Sequence, residues 1–170
     1  MRITLQKIND NAQIPTQARE GDFCYDVVAV SEEEVAPNVW RYGMGFAYEI
    51  ERGSVPLCYT ETWISGFRYW GPTVIDLKDA NIKLSIDFRP RSSVWKTGMI
   101  LSNCEGTLDE FYRGEMMAVF YHVMPNMPRY KIGDKIGQIK LGITLPLEFE
   151  WGNIHTDTER GEGGFGSTGR

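Results

Sequence analysis

Residues 82–89, IKLSIDFR, alternate without a break: Ile82, Leu84, Ile86 and Phe88 fall on one side, Lys83, Ser85, Asp87 and Arg89 on the other. A period of two is the signature of a half-buried β-strand. The same period recurs outward from this stretch. Met1, Ile3 and Leu5 alternate with Arg2, Thr4 and Gln6, and Ile139, Leu141 and Ile143 face away from Lys140 and Gly142. Residues 116–124, MMAVFYHVM, form a continuous apolar run, which reads as a fully buried strand. Glu20-Gly21-Asp22, Arg113-Gly114 and Gly133-Asp134 supply turn chemistry between the segments. Short strands at this spacing predict an all-β sandwich of jelly-roll type. The one helical signal is brief: Ser92-Ser93 as an N-cap, then 94–97 with no breaker.

Composition agrees. The chain has 170 residues and is 42% hydrophobic and 24% charged, which fits one soluble domain with its own core. Eighteen Gly and eight Pro favour turns over long helices. A net charge of −5 argues against a nucleic-acid partner, which needs a broad basic surface. It leaves room for a small phosphorylated ligand, since local charge decides that. Cys24, Cys58 and Cys104 are odd in number and far apart, and the only histidines are His122 and His155. That pattern supports neither a disulfide framework nor a zinc site; it reads as three buried thiols in a reducing compartment. The opening residues lack the apolar core of a signal peptide, and no apolar run is long enough to span a bilayer. The expectation is a cytoplasmic chain with no membrane partner.

Two regions stand apart. Residues 40–72 are rich in aromatics and Gly, and hairpin packing or a subunit contact outweighs a ligand platform there. The tail, RGEGGFGSTGR at 160–170, cannot pack a core and by composition alone reads as disordered. Its Gly N–H groups and its Ser and Thr hydroxyls suit an anion nest, and one aromatic suits capping a base.

Three further blocks carry chemistry. Pro90-Arg91-Ser92-Ser93 sets an Arg and two hydroxyls at the end of a strand, a combination suited to an anion. Residues 103–114 read as a hairpin in which Asp109 and Tyr112 lie three apart between turn glycines. Residues 133–138, GDKIGQ, read as a turn into a strand with Gln138 as a polar contact. Each signal alone is weak; their order is specific.

In that order the blocks resemble the five motifs of the homotrimeric dUTPases (deoxyuridine triphosphate nucleotidohydrolases). These are GDFCYDV at 21–27, PRSSVWKTG at 90–98, NCEGTLDEFYRGE at 103–115, GDKIGQ at 133–138 and RGEGGFGSTG at 160–169. The resemblance covers nearly the whole chain except about 40–75. It implies a β domain over 1–159 with an aromatic-rich insertion within about 40–75, and a flexible arm at 160–170. It implies a homotrimer whose sites combine motifs 1, 2 and 4 of one subunit, motif 3 of a second and the tail of a third. The implied reaction is Mg2+-assisted hydrolysis of dUTP to dUMP and pyrophosphate, which keeps uracil out of DNA and supplies dUMP for thymidylate synthesis.

The resemblance also implies roles. Asp109 is the general base. Arg91, Ser92, Ser93 and Gln138 face the phosphates and the catalytic water, and Asp26 meets the water shell of Mg2+. Asn103 and the hairpin backbone at Gly106, Thr107 and Leu108 read the uracil edge, Tyr112 stacks under the deoxyribose, and Met117 is a further contact. In the tail, Phe165 covers the base while Arg160, Gly166, Ser167 and Thr168 close on the phosphates. Phe23-Cys24 departs from the Ala-Gly usual in motif 1. Two other readings are weighed. A dCTP deaminase on the same fold requires a Glu and an Arg where Val119 and Lys96 stand here, and a regulatory binding protein on the same scaffold would use the aromatic insertion.

Overall fold

In the computed structural model, which describes residues 1–64, 67–78, 80–155 and 158, the chain is an all-β jelly roll. The strands are β1 (Arg2–Lys7), β2 (Tyr25–Val28), β3 (Ser31–Ala36), β4 (Val39–Gly43), β5 (Phe46–Glu51), β6 (Ser54–Ile64), β7 (Phe67–Asp76), β8 (Lys83–Pro90), β9 (Met99–Leu101), β10 (Gly106–Asp109), β11 (Met117–His122) and β12 (Lys135–Thr144). Two four-stranded sheets, ordered β10-β8-β12-β2 and β3-β4-β11-β9, form the sandwich. β1 pairs with β5, and β6 with β7 as a hairpin running from Ser54↔Asp76 to Ile64↔Phe67.

The alternating stretch 82–89 becomes β8, with Leu84, Ile86 and Phe88 buried as the period requires. Their side chains meet those of the other sheet in one core. Phe120 is its hub: it makes edge-to-face contacts with Tyr42 at 5.9 Å, Phe88 at 6.3 Å and Tyr130 at 5.5 Å between ring centroids. The core also takes Tyr42, Phe46 and Tyr48 from the aromatic-rich region. Gly137 faces Phe88, and a Cβ there would overlap the ring. Beside it a register shift between Lys135 and Gly137 lets both Ile136 and Ile139 reach the core, which strict alternation forbids.

Three expectations are corrected. β11 is not buried on both faces: Ala118 and Phe120 point inward, while Met117 and Tyr121 stand exposed. β11 is flanked by β4 and β9 along its edges, so its backbone is paired, but the outer face of that sheet remains open among the described residues. The short helix exists as a 3-10 turn, Ser92–Lys96, but neither Ser is its N-cap. Arg91 holds that position in extended geometry with no side-chain capping bond, because β8 runs straight into the turn. The thiols are not uniformly buried either. Cys24 is half-buried, and Cys104 is exposed at a turn where its φ is +58°.

Candidate active site

The segment 99–109 crosses the sandwich. β9 pairs with β11 in one sheet, and β10 pairs with β8 in the other. The turn between them is tight: the Glu105 N–H donates to the Asn103 carbonyl at 2.5 Å, and Arg89 holds the Glu105 carboxylate at 2.6 Å. This crossing builds a cavity of about 360 Å3 walled by both sheets. Asn103, Gly106, Thr107, Leu108, Asp109, Tyr112 and Met117 all line it. Arg41, Glu115 and Val119 complete the wall; Val119 is the residue at the deaminase Glu position and Glu115 closes the third motif, while nothing in the sequence points to Arg41. Arg41 and Val119 are register partners on β4 and β11, so the signal for Arg41 is a pairing, not a motif. The open outer face of β11 is thus a wall of this cavity.

Asp109 ends β10 with its carboxylate exposed. Its backbone is fixed: the carbonyl accepts from the Tyr48 hydroxyl at 2.7 Å and from the Tyr112 N–H at 3.0 Å. Burial first, and then the charge of Asp109, push the Tyr48 hydroxyl up to about 12, so it remains a donor at neutral pH. Tyr112 donates from its own hydroxyl to the Glu115 carbonyl at 3.1 Å. Glu115 in turn accepts from the Gly45 N–H at 2.8 Å. The ring of Tyr112 lies over Gly114, where any Cβ would overlap it.

A second cavity, about 280 Å3, is lined by Asp22, Phe23, Asp26, Arg91 and Gln138, with Ala18 and Cys24. Asp26 and Gln138 are direct partners across β2 and β12, and Arg89 is the next residue in that row. Asp26 is buried and ion-paired on both oxygens, to Arg91 at 3.1 Å and to Lys135 at 3.0 Å. Lys135 lies inside the GDKIGQ block, yet its ion pair becomes visible only once β2 and β12 are paired. Ser92 and Ser93 follow Arg91 in the 3-10 turn. The two cavities share no lining residue. Arg160, Phe165, Gly166, Ser167 and Thr168 lie outside the described residues.

A protein cage for a metal needs several converging donors. Among the described residues no three His, Cys, Asp or Glu converge. The second cavity offers Asp26 and Asp22. That donor set fits an ion that keeps most of its own water and arrives on phosphate oxygens, the habit of Mg2+.

A family model for dUTPase matches residues 71–169. The deoxyuridine 5'-triphosphate nucleotidohydrolase of Clostridium novyi is 34% identical over 99% of this chain and 99% of its own. The chain belongs to the dUTPase family. Among solved structures, a G164S mutant of the dUTPase of Staphylococcus bacteriophage 80alpha with dUpNHpp shares the fold at TM-score 0.68 and 16% identity, over 99% of each chain. A mutant dUTPase of S. aureus phage phi11, described with a structural Mg(II) ion, aligns at TM-score 0.55 and 15% identity, over 94% of this chain and 99% of its own. The dUTPase fold thus accounts for the whole described body. No helix among the described residues is long and apolar enough to cross a membrane.

Proposed function

We propose that this chain is a dUTP diphosphatase that converts dUTP and water to dUMP and pyrophosphate. The observation that carries the reading is the first cavity, where Asp109, Asn103, Tyr112 and Met117 converge although they come from different elements. The Asp109 carboxylate takes a proton from water as its oxygen attacks the α-phosphorus, and the bond to the bridging oxygen breaks as pyrophosphate leaves. Asp109 is suited to this because its backbone is clamped while its carboxylate faces solvent. Arg91, Ser92 and Ser93 supply fixed positive charge and donors for the phosphate oxygens. Gln138 orients the water or the α-phosphate, and Asp26 meets the shell of Mg2+. The metal, when bound, neutralises charge on the triphosphate.

Asn103 and the backbone at 106–108 read the uracil edge, where cytosine would leave polar groups unpaired. Val119 lines the cavity with an aliphatic group where a deaminase needs a carboxylate, which supports hydrolysis over deamination. Phe165 stacks on the base, and Arg160, Gly166, Ser167 and Thr168 contact the phosphates.

Two half-sites without a shared lining residue support a site assembled between subunits, and we assign the chain a homotrimeric state. A second observation agrees. Leu145, Leu147, Phe149, Trp151 and Ile154 are all strongly exposed in one stretch, an apolar surface that a lone chain leaves wet. Free Cys24 and Cys104 fit a reducing cytoplasm, and the acidic net charge fits the absence of a nucleic-acid or membrane partner.

The test is pyrophosphate release from dUTP, dCTP, dTTP and UTP, with and without Mg2+, beside ammonia release from dCTP. We expect Mg2+-dependent release from dUTP alone, abolished in Asp109→Asn with dUTP binding largely kept. Ammonia from dCTP, or full turnover by the variant, overturns the reading.

A further inference from the structure

We propose that Arg52 is a positioning residue for catalysis, which fixes the Asp109 turn by clamping Glu110 to the neck of the β6–β7 hairpin. This rests on the assignment of Asp109 as the base. Arg52 leads into β6, and its guanidinium is fully engaged. Nε and Nη2 donate to the two Glu110 oxygens at 2.7 Å each, a bidentate pair. Nη1 donates to the carbonyls of Leu77 and Ala80 at 3.2 Å, and Nη2 to that of Ile82 at 2.9 Å. One side chain therefore gathers the outgoing strand of the hairpin, its returning strand and the residue that follows Asp109. The Leu77 N–H closes the same neck on the Gly53 carbonyl at 3.3 Å.

Glu110 is buried, and the hydrogen bond from Arg52 holds its carboxyl below the usual carboxylate range against the opposing pull of burial. Without Arg52 this buried carboxylate keeps only a backbone hydrogen bond from Leu84 and the charge of Arg113, so it is drawn toward water or toward a proton. A move toward water turns the peptide it shares with Asp109, and uptake of a proton loosens the hold on that peptide. Apart from the Leu84 backbone bond to the Glu110 carboxyl, the other contacts are to the turn's backbone: Tyr48 to the Asp109 carbonyl, and Arg113 to the Glu110 and Tyr112 carbonyls at 2.8 and 3.1 Å. They fix where the chain runs. The bidentate pair, made to a side chain at the adjacent position, fixes its rotation, and rotation aims the Asp109 carboxylate. Lys cannot reproduce the planar fork but keeps the charge, so it separates pairing from geometry.

The experiment compares full-length wild type, Arg52→Gln, Arg52→Lys and Asp109→Asn. It measures kcat and KM for dUTP, the affinity for non-hydrolysable α,β-imido-dUTP, and thermal melting. We expect Arg52→Gln to lower kcat about tenfold or more while analogue affinity stays within about threefold, as for a group that acts on the transition state. Arg52→Lys should fall between it and wild type. If Arg52→Gln does not fold, Arg52→Lys decides alone: a kcat reduced about threefold or more at unchanged affinity supports the role. Wild-type kcat in the folded variants overturns it, as does a loss of kcat matched by an equal loss of analogue affinity. Asp109→Asn keeps the two assignments apart. If it turns over normally, the base assignment fails; if it is inactive while Arg52→Gln is normal, only the positioning role fails.

Discussion

The ring of Tyr112 is held by an absence. Gly114 has no Cβ, and the space one would fill is occupied by that ring, whose hydroxyl is fixed on the Glu115 carbonyl. A rigid aromatic surface beneath a sugar rejects an added hydroxyl by contact, and it rejects it only while the ring cannot move. Tyr112→Ala should therefore relax the discrimination against UTP: the ratio of kcat/KM for dUTP over UTP should drop about tenfold or more, ~1.4 kcal/mol. Competition between the two substrates measures it, and an unchanged ratio removes Tyr112 from sugar selection. Residues of this kind were legible in the sequence because their spacing is local: Asn103, Gly106, Asp109 and Tyr112 sit in one turn-rich block. Arg41 is not legible as a site residue, and Val119 is legible only as the residue where a deaminase needs its Glu. Arg41 reaches the cavity through the register of β4 against β11, where it faces Val119, and nothing in its local sequence points to that pairing.

At the scale of elements, period-two stretches became strands, while an unbroken apolar run misled about β11 and a charged run hid β3. β3 carries the acidic run Glu32-Glu33-Glu34 and shows no apolar alternation, yet it pairs with β4 along its length. It is an edge strand, where charged side chains also guard against pairing with other chains. What ties it down is Glu32, held bidentately by Arg129 at 2.9 Å on each oxygen, while Arg129 stacks 3.5 Å from the centre of the Trp40 ring. The Arg129 hydrogen bond keeps the Glu32 carboxyl below its ordinary 4.5. The unfolded chain therefore binds a proton at Glu32 more readily than the folded one, and stability from this pair rises with pH. It is fully present above the ordinary carboxylate range and is lost as pH falls through the lowered folded value. Urea unfolding of wild type and Glu32→Gln from pH 7 to pH 3 should show the variant less stable by about 1–2 kcal/mol at neutral pH. The gap should close toward pH 3, and a gap independent of pH would remove the charge of Glu32 from the account.

At the scale of the molecule, each chain presents its two half-sites in separate cavities. Asp109 belongs to the one at the β9–β10 crossing, Arg91 to the one at the β2–β12 pairing. If substrate lies between subunits, each half-site must come from a different copy, and cyclic symmetry then makes the halves interchangeable between copies. Chains carrying Arg91→Ala and chains carrying Asp109→Asn should each be inactive as pure assemblies, since every site lacks one half. Co-expressed in equal amounts and purified through two tags, they should regain activity. Two tags leave only trimers with both kinds of chain, and in each of these, whichever chain is in excess, about one site in three draws an intact Arg91 from one chain and an intact Asp109 from its neighbour. Pyrophosphate release near a third of the wild-type rate per site is the expected result. Were both halves used within one chain, no mixed assembly would hold an intact site, and the mixture would stay as inactive as its parts. The comparison carries its own control for stability, because the same chains are measured alone and together.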